Sequence, residues 1–192
     1  MDRRTALHRI GILMGGTLSA STVAGVLGGC TSGSGTGDMP FKARTLTQGR
    51  DELVATLSEL IIPETDTPGA RAALVHEFID NMLTDWYDEP EVEEFLAGLT
   101  GVERRAQERG AQSFTDLDMG IQVEILTQME ADAEAWSENG EADTPPFFRT
   151  IKSLTLFGYY SSEVGATQEL RVNPMGVYRA DIPFDEIGRA WA

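Results

Sequence analysis

Between Ile61 and Ala70 the chain reads I-I-P-E-T-D-T-P-G-A, which sets two carboxylates and two hydroxyls between two prolines. Glu64, Thr65, Asp66 and Thr67 could do one of three things. Oxygen ligands of this kind suit a hard cation, and a pair of carboxylates can work as acid and base. The same residue types also finish one helix and begin the next, by accepting from backbone N–H groups that have no intrahelical partner. A second candidate lies just downstream. His76 and Asp80 stand four residues apart, so on a helix they share a face, and such a pair could bind a metal or form a base and its orienter. They flank the apolar side marked by Val75, Phe78, Ile79 and Met82, which favours the plainer reading of a solvated i,i+4 pair. No third ligand is near.

The remaining sequence supplies little chemistry. It contains no phosphate-binding Gly-rich loop, no G-x-S-x-G elbow and no H-E-x-x-H. G-L-T-G-V-E (Gly98–Glu103) lacks a preceding strand and a lysine. The acidic run E-P-E-V-E-E suits the first turn of a helix, where carboxylates complement the dipole. A single cysteine, Cys30, excludes an intramolecular disulfide and a multi-thiolate metal site.

These groups must be positioned by helices. Leu53, Leu57, Leu60 and Ile61 fall on one helical face in a first helix, which ends at Ile62 because Pro63 disfavours helical geometry before it. A second helix is expected from near Pro68, with Val75, Phe78, Ile79, Met82, Leu83 and Trp86 facing the core. Asp88 and Pro90 open a third, closed by Gly110. Ser113 or Asp116 caps a fourth, with Ile121, Ile125, Met129, Ala133 and Trp136 turned inward. S-E-N-G-E-A-D-T-P-P reads as a loop. Phe148, Ile151, Leu154, Thr155 and Tyr159 start a fifth helix, and beyond Leu170 the chain turns irregular. Tyr159 and Tyr160 are adjacent, about 100° apart on a helix, so both cannot face one core. One of them faces a tail segment or another protein, since tyrosine suits interfaces. The expected fold is a small, mostly α domain of about five helices with an irregular C-terminal tail.

The first residues read as an address. A basic start, a mildly apolar stretch and small residues before Cys30 have the layout of an export signal. Arg3-Arg4 resembles a twin-arginine signal, with Leu7 in place but Ala6 and His8 departing from the pattern. Leu27-Gly28-Gly29-Cys30 resembles a lipobox, whose cysteine is acylated; the alternative is a small buried cysteine after a signal. The polar T-S-G-S-G-T-G-D that follows suits a tether. The expected organisation is a signal over 1–29, a tether over 30–45 and a helical domain over 46–192, exported and anchored on the periplasmic or outer face of the cytoplasmic membrane. His8 departs with the signal.

The net charge of −16 becomes −18 once the three arginines and one acid before Cys30 are set aside. So acidic a surface repels nucleic acid and anionic lipid. With only Lys42 and Lys152 as lysines beyond the signal, the composition also suits high salt, where screening relieves the repulsion.

Two segments are specific enough to name a family. I-I-P-E-T-D-T-P-G-A, followed by a helix containing F-I-D, and F-x-x-x-K-x-L-T-L-x-G-Y-Y-S-S-E-V-G from Phe148 to Gly165 resemble the gluconate 2-dehydrogenase subunit 3 family, over about Leu53 to Tyr178. The resemblance implies a non-catalytic accessory subunit of a membrane-associated flavoprotein dehydrogenase acting on sugars or sugar acids. The implied partner is a large subunit of the glucose-methanol-choline (GMC) oxidoreductase type, which holds FAD and often passes electrons to a cytochrome c. Twin-arginine export fits, because the small subunit of such complexes commonly carries the signal for a large subunit that has none; a lipid anchor on Cys30 departs from many relatives. This chain has no C-x-x-C-H and no dinucleotide fingerprint, and no catalytic, cofactor or metal residue is assigned to it. In this reading Pro63 ends helix one, Thr67 or Asp66 caps helix two and Pro68 lies in its first turn. The residues expected to face the partner are Asp66, Thr67, Tyr159, Tyr160 and Glu163. The alternative is a stand-alone lipoprotein that binds a small ligand or metal in a helical bundle.

Overall fold

A computed structural model describes residues 41–139, 145–172 and 182–190. The signal, Cys30 and most of the tether lie outside them. The described residues form six α-helices and no strand, matching the mostly α expectation. They are α1 (Gln48–Ile61), α2 (Val75–Asp85), α3 (Glu89–Glu108), α4 (Met119–Asn139), α5 (Phe147–Ser161) and a four-residue α6 (Phe184–Ile187).

The core is built from stripes at helical spacing. Leu53, Val54 and Leu57 come from α1, Val75, Ile79 and Leu83 from α2, and Phe95, Leu99, Val102 and Ala106 from α3. Ile125, Met129 and Ala133 come from α4. All five residues expected to face inward on α5 (Phe148, Ile151, Leu154, Thr155 and Tyr159) are buried. Helix α5 packs against each of the other four long helices, so it is the central element. Its approach to α1 is marked by a buried bond between the Ser58 and Thr155 hydroxyls at 3.2 Å. Gly158 lets it close on α2, because a Cβ there would press into the Phe78 ring.

Local signals set most helix ends. Asp88 and Glu91 form a reciprocal capping box at the start of α3, with Pro90 in the first turn. Gly110, at φ 87°, closes that helix in the left-handed region. Ser113 does cap, but its helix is the short 3₁₀ turn Phe114–Asp116, with Asp116 completing the box. Helix α4 starts beyond it, and the Asp118 carbonyl accepts from Ile121 and Gln122.

The helix starts, the core stripe of α2 and the domain boundary differ from expectation. Helix α2 begins at Val75, not near Pro68, and neither Asp66 nor Thr67 caps it. The reason is Glu59 on α1, whose carboxylate accepts from the backbone N–H of Glu64 at 2.9 Å and of Arg71 at 2.8 Å. Ala70 N–H returns to the Ile62 carbonyl. This ties the chain into a corner against α1, with Ala70 buried and no room for a Cβ on Gly69. Trp86, expected in the core stripe, is 79% exposed because the helix ends at Asp85 and the backbone leaves the helical path there. The folded part also starts before residue 46. Arg44 and Thr45, assigned to the tether, are bound to α2 along with Leu46.

Candidate partner-docking face

The two stretches that carry the motifs meet in space. The Tyr159 hydroxyl donates to the Pro68 carbonyl at 2.8 Å, across 91 residues. Thr67 Oγ1 donates to Glu169 Oε2 at 2.9 Å. The Pro63–Pro68 corner therefore rests on the C-terminal end of α5 and on the π turn Gly165–Glu169 that follows it. Gly165 allows that turn, since a Cβ there would overlap the Tyr159 carbonyl. Glu64, Thr65 and Asp66 stay on the surface, where Asp66 Oδ1 accepts from Thr65 Oγ1 at 3.1 Å.

Of the five residues expected to face a partner, four are at or near the surface and one is not. Asp66, Tyr160 and Glu163 are exposed and Thr67 is half-buried. Tyr159 is 2% exposed, its ring enclosed by the fold and its hydroxyl spent on Pro68. The outward member of the pair is Tyr160, whose ring meets that of Tyr159 edge-on at 5.3 Å. Cys30, Arg3 and Arg4 lie outside the described residues.

The His76–Asp80 pair is not solvated. Asp80 is fully buried, and its carboxylate accepts three backbone N–H groups: Arg44 at 2.7 Å, Thr45 at 3.0 Å and Leu46 at 2.7 Å. Arg44 reinforces the clasp with its guanidinium on Asp85 at 2.6 Å and on Asn81 at 2.9 Å. That hydrogen bond holds the Asp85 carboxyl below its ordinary range. Asp80 is thus an anchor for the start of the domain, its buried carboxylate committed to three backbone donors. Among the described residues no group of three His, Cys, Asp or Glu side chains is placed to hold a metal ion.

Beside this clasp, Asp51 Oδ1 and His76 Nδ1 are buried without a hydrogen-bond partner. Burial raises the Asp51 carboxyl above its ordinary 3.8; His76 and, more weakly, Arg71 oppose the shift, whereas Asp80 and Glu52 add to it. A raised carboxyl binds its proton more tightly folded than unfolded, so the folded state loses stability as pH climbs from 3.8 through the raised value. Asp51→Asn, neutral at every pH, is expected to escape that loss. Melting curves of both proteins from pH 3.5 upward should diverge in favour of the variant as the wild-type carboxyl ionises.

The outward side of α5 is of another character. Arg149, Ser153, Leu156, Phe157 and Tyr160 are exposed along it. Phe157 is 63% exposed and stacks obliquely on Phe78 of α2, ring centres 5.7 Å apart. Next to it an open groove of about 500 Å³ is lined by Tyr87, Trp136, Arg149 and Phe157, among others. Burial, and secondarily Glu91, pushes the Tyr87 phenol above its usual value, so it remains a neutral donor. The groove was not anticipated from sequence. The signal for it was the lack of any acid between Phe147 and Ser161 in so acidic a chain.

No helix among the described residues is long and apolar enough to cross a membrane. No curated protein and no solved structure matches the chain. The family model for gluconate 2-dehydrogenase subunit 3 matches residues 48–177, which takes in α1 to α5, the corner and the π turn. The chain belongs to the gluconate 2-dehydrogenase subunit 3 family, named for a subunit of a dehydrogenase complex.

Proposed function

We propose that this protein is a non-catalytic accessory subunit that binds the large flavoprotein subunit of a sugar or sugar-acid dehydrogenase. In this reading the large subunit is of the GMC type, holds FAD and carries out the hydride chemistry, and a cytochrome c subunit takes the electrons. The small subunit supports folding of its partner and accompanies it through the twin-arginine route. A lipid on Cys30 then holds the complex on the outer or periplasmic face of the cytoplasmic membrane, residues 31–43 serving as the spacer.

The observation that carries this reading is the family match across nearly the whole helical domain. The side chains support it. Asp80, a sequence candidate for acid–base or metal chemistry, is occupied by backbone N–H groups, as is Glu59. The large exposed apolar side chains Leu156, Phe157 and Tyr160 instead form one run on α5, as a docking surface would.

Affinity purification of the full chain from its native membranes, at native salt, tests the reading. The expected eluate is yellow, shows flavin absorbance and contains a larger protein in fixed ratio. A colourless eluate holding this chain alone would overturn the accessory role and favour a stand-alone ligand-binding lipoprotein.

A further inference from the structure

Helix α5 carries Arg149 and Lys152 and no acid, in a chain of net charge −16. Lys152 is engaged with Glu130 on α4 at 2.6 Å. Arg149 is not so engaged. Arg44, Arg71, Arg105 and Arg109 each bridge a carboxylate, but Arg149 has no ion pair among the described residues. Its guanidinium lies 5.3 Å from the centre of the Trp136 ring. A cation held over an aromatic ring in this way needs no carboxylate, so its N–H donors are not spent on an ion pair. The Trp136 Nε1 beside it is buried and finds no acceptor among the described residues, so that donor is unspent but covered. Both donors belong to residues that line the same groove, with the Tyr87 and Phe157 rings beside them.

We propose that this groove of Tyr87, Trp136, Arg149 and Phe157 seats a segment of the large subunit that presents an apolar side chain next to a carboxylate. The proposal rests on the accessory-subunit reading and adds to it the face and the chemistry of docking. Charge complementarity selects the occupant. The acidic surface of this chain repels a carboxylate over most of its area, whereas the Arg149 guanidinium, which has no ion pair among the described residues, donates to one in a charge-assisted geometry. Leu156, Phe157 and Tyr160 then supply apolar contact, and the aromatic-plus-arginine composition is that of a binding hot spot.

The test uses the full chain purified with the flavin-bearing subunit that accompanies the wild type. Arg149→Glu is expected to cut recovery of that subunit by at least about tenfold, and Phe157→Ser is expected to cut it as well. Met119→Ser, at the other end of α4 and 72% exposed in the wild type, should leave recovery unchanged. Helical circular dichroism and the melting temperature of each variant establish that the fold is intact. A photo-crosslinking residue at position 160 should link to the flavin-bearing chain.

Wild-type recovery by Arg149→Glu would overturn the groove while leaving the accessory role standing. A crosslink to residues 173–181 of the same chain would assign the face to its own tail and overturn it too. So would an isolated wild-type dimer that Arg149→Glu converts to monomers without loss of flavin. If the wild type itself recovers no flavin-bearing subunit, the accessory reading fails, and the groove proposal with it.

Discussion

Replacing Asp80 with alanine is expected to lower the unfolding free energy by about 4 kcal/mol and to free residues 44–46 from α2. The Asp80 carboxylate is fully buried, and three backbone N–H groups within 3.0 Å depend on it. Charge-assisted bonds contribute roughly 1.5–3 kcal/mol each, so simple addition would give a larger cost. Two effects reduce it. The three bonds share one carboxylate, and Arg44 and Thr45 N–H can return to water once the segment lifts. Leu46 cannot escape so cheaply, because it is 4% exposed and its apolar burial is lost with the clasp. Asp80→Asn separates charge from shape: the amide keeps one acceptor oxygen but turns an NH₂ toward a backbone donor, so about half the loss should remain. Denaturant melts give the free energy, and amide hydrogen exchange at Arg44–Leu46 reports the clasp. A cost under about 1 kcal/mol with protection intact would show that the anchor is unnecessary.

Tyr159→Ala should cost a similar amount, about 4 kcal/mol, as truncation of a fully buried aromatic ring does. Tyr159→Phe should cost only about 1 kcal/mol, the net value of one hydrogen bond. The contrast follows from the two roles of the side chain. Its ring fills the core of the central helix, and its hydroxyl ties the Pro63–Pro68 corner to α5 through Pro68 O. In Tyr159→Phe the corner should stay attached by Thr67 to Glu169 and by Glu59 to Glu64 and Arg71. Equal losses in both variants would mean that the hydroxyl matters more than the ring, contrary to the packing.

The helical stripes were legible in sequence because a 3.6-residue period is a local property. Every residue named for the inward face of α5 is buried, and the same holds for Val75, Ile79 and Leu83 on α2. The period fails at Trp86 because the backbone leaves the helix while the apolar pattern continues for one more residue. The start of α2 was misplaced for a related reason. Pro68 permits a helix to begin there, but Glu59, from the preceding helix, claims the N–H groups and holds the chain in a corner. The pairing of Tyr159 with Tyr160 showed that one must point outward; which one does was decided by the Pro68 carbonyl, 91 residues away.

The sequence alone determined the helical class, the principal inward faces, the opening of α3 at Asp88 and Pro90 and, through two motifs, the family. All of these depend on residues within a few turns of one another or on their order along the chain. Only the tertiary structure decided that Asp80 is a buried anchor, that Glu59 shapes the corner, and that Arg149 and Trp136 line one groove, their donors unspent among the described residues. The physical reason is common to all three. A buried carboxylate or an orphan N–H takes its meaning from the partner that packing brings within about 3 Å, and that partner lies on another helix or a distant loop.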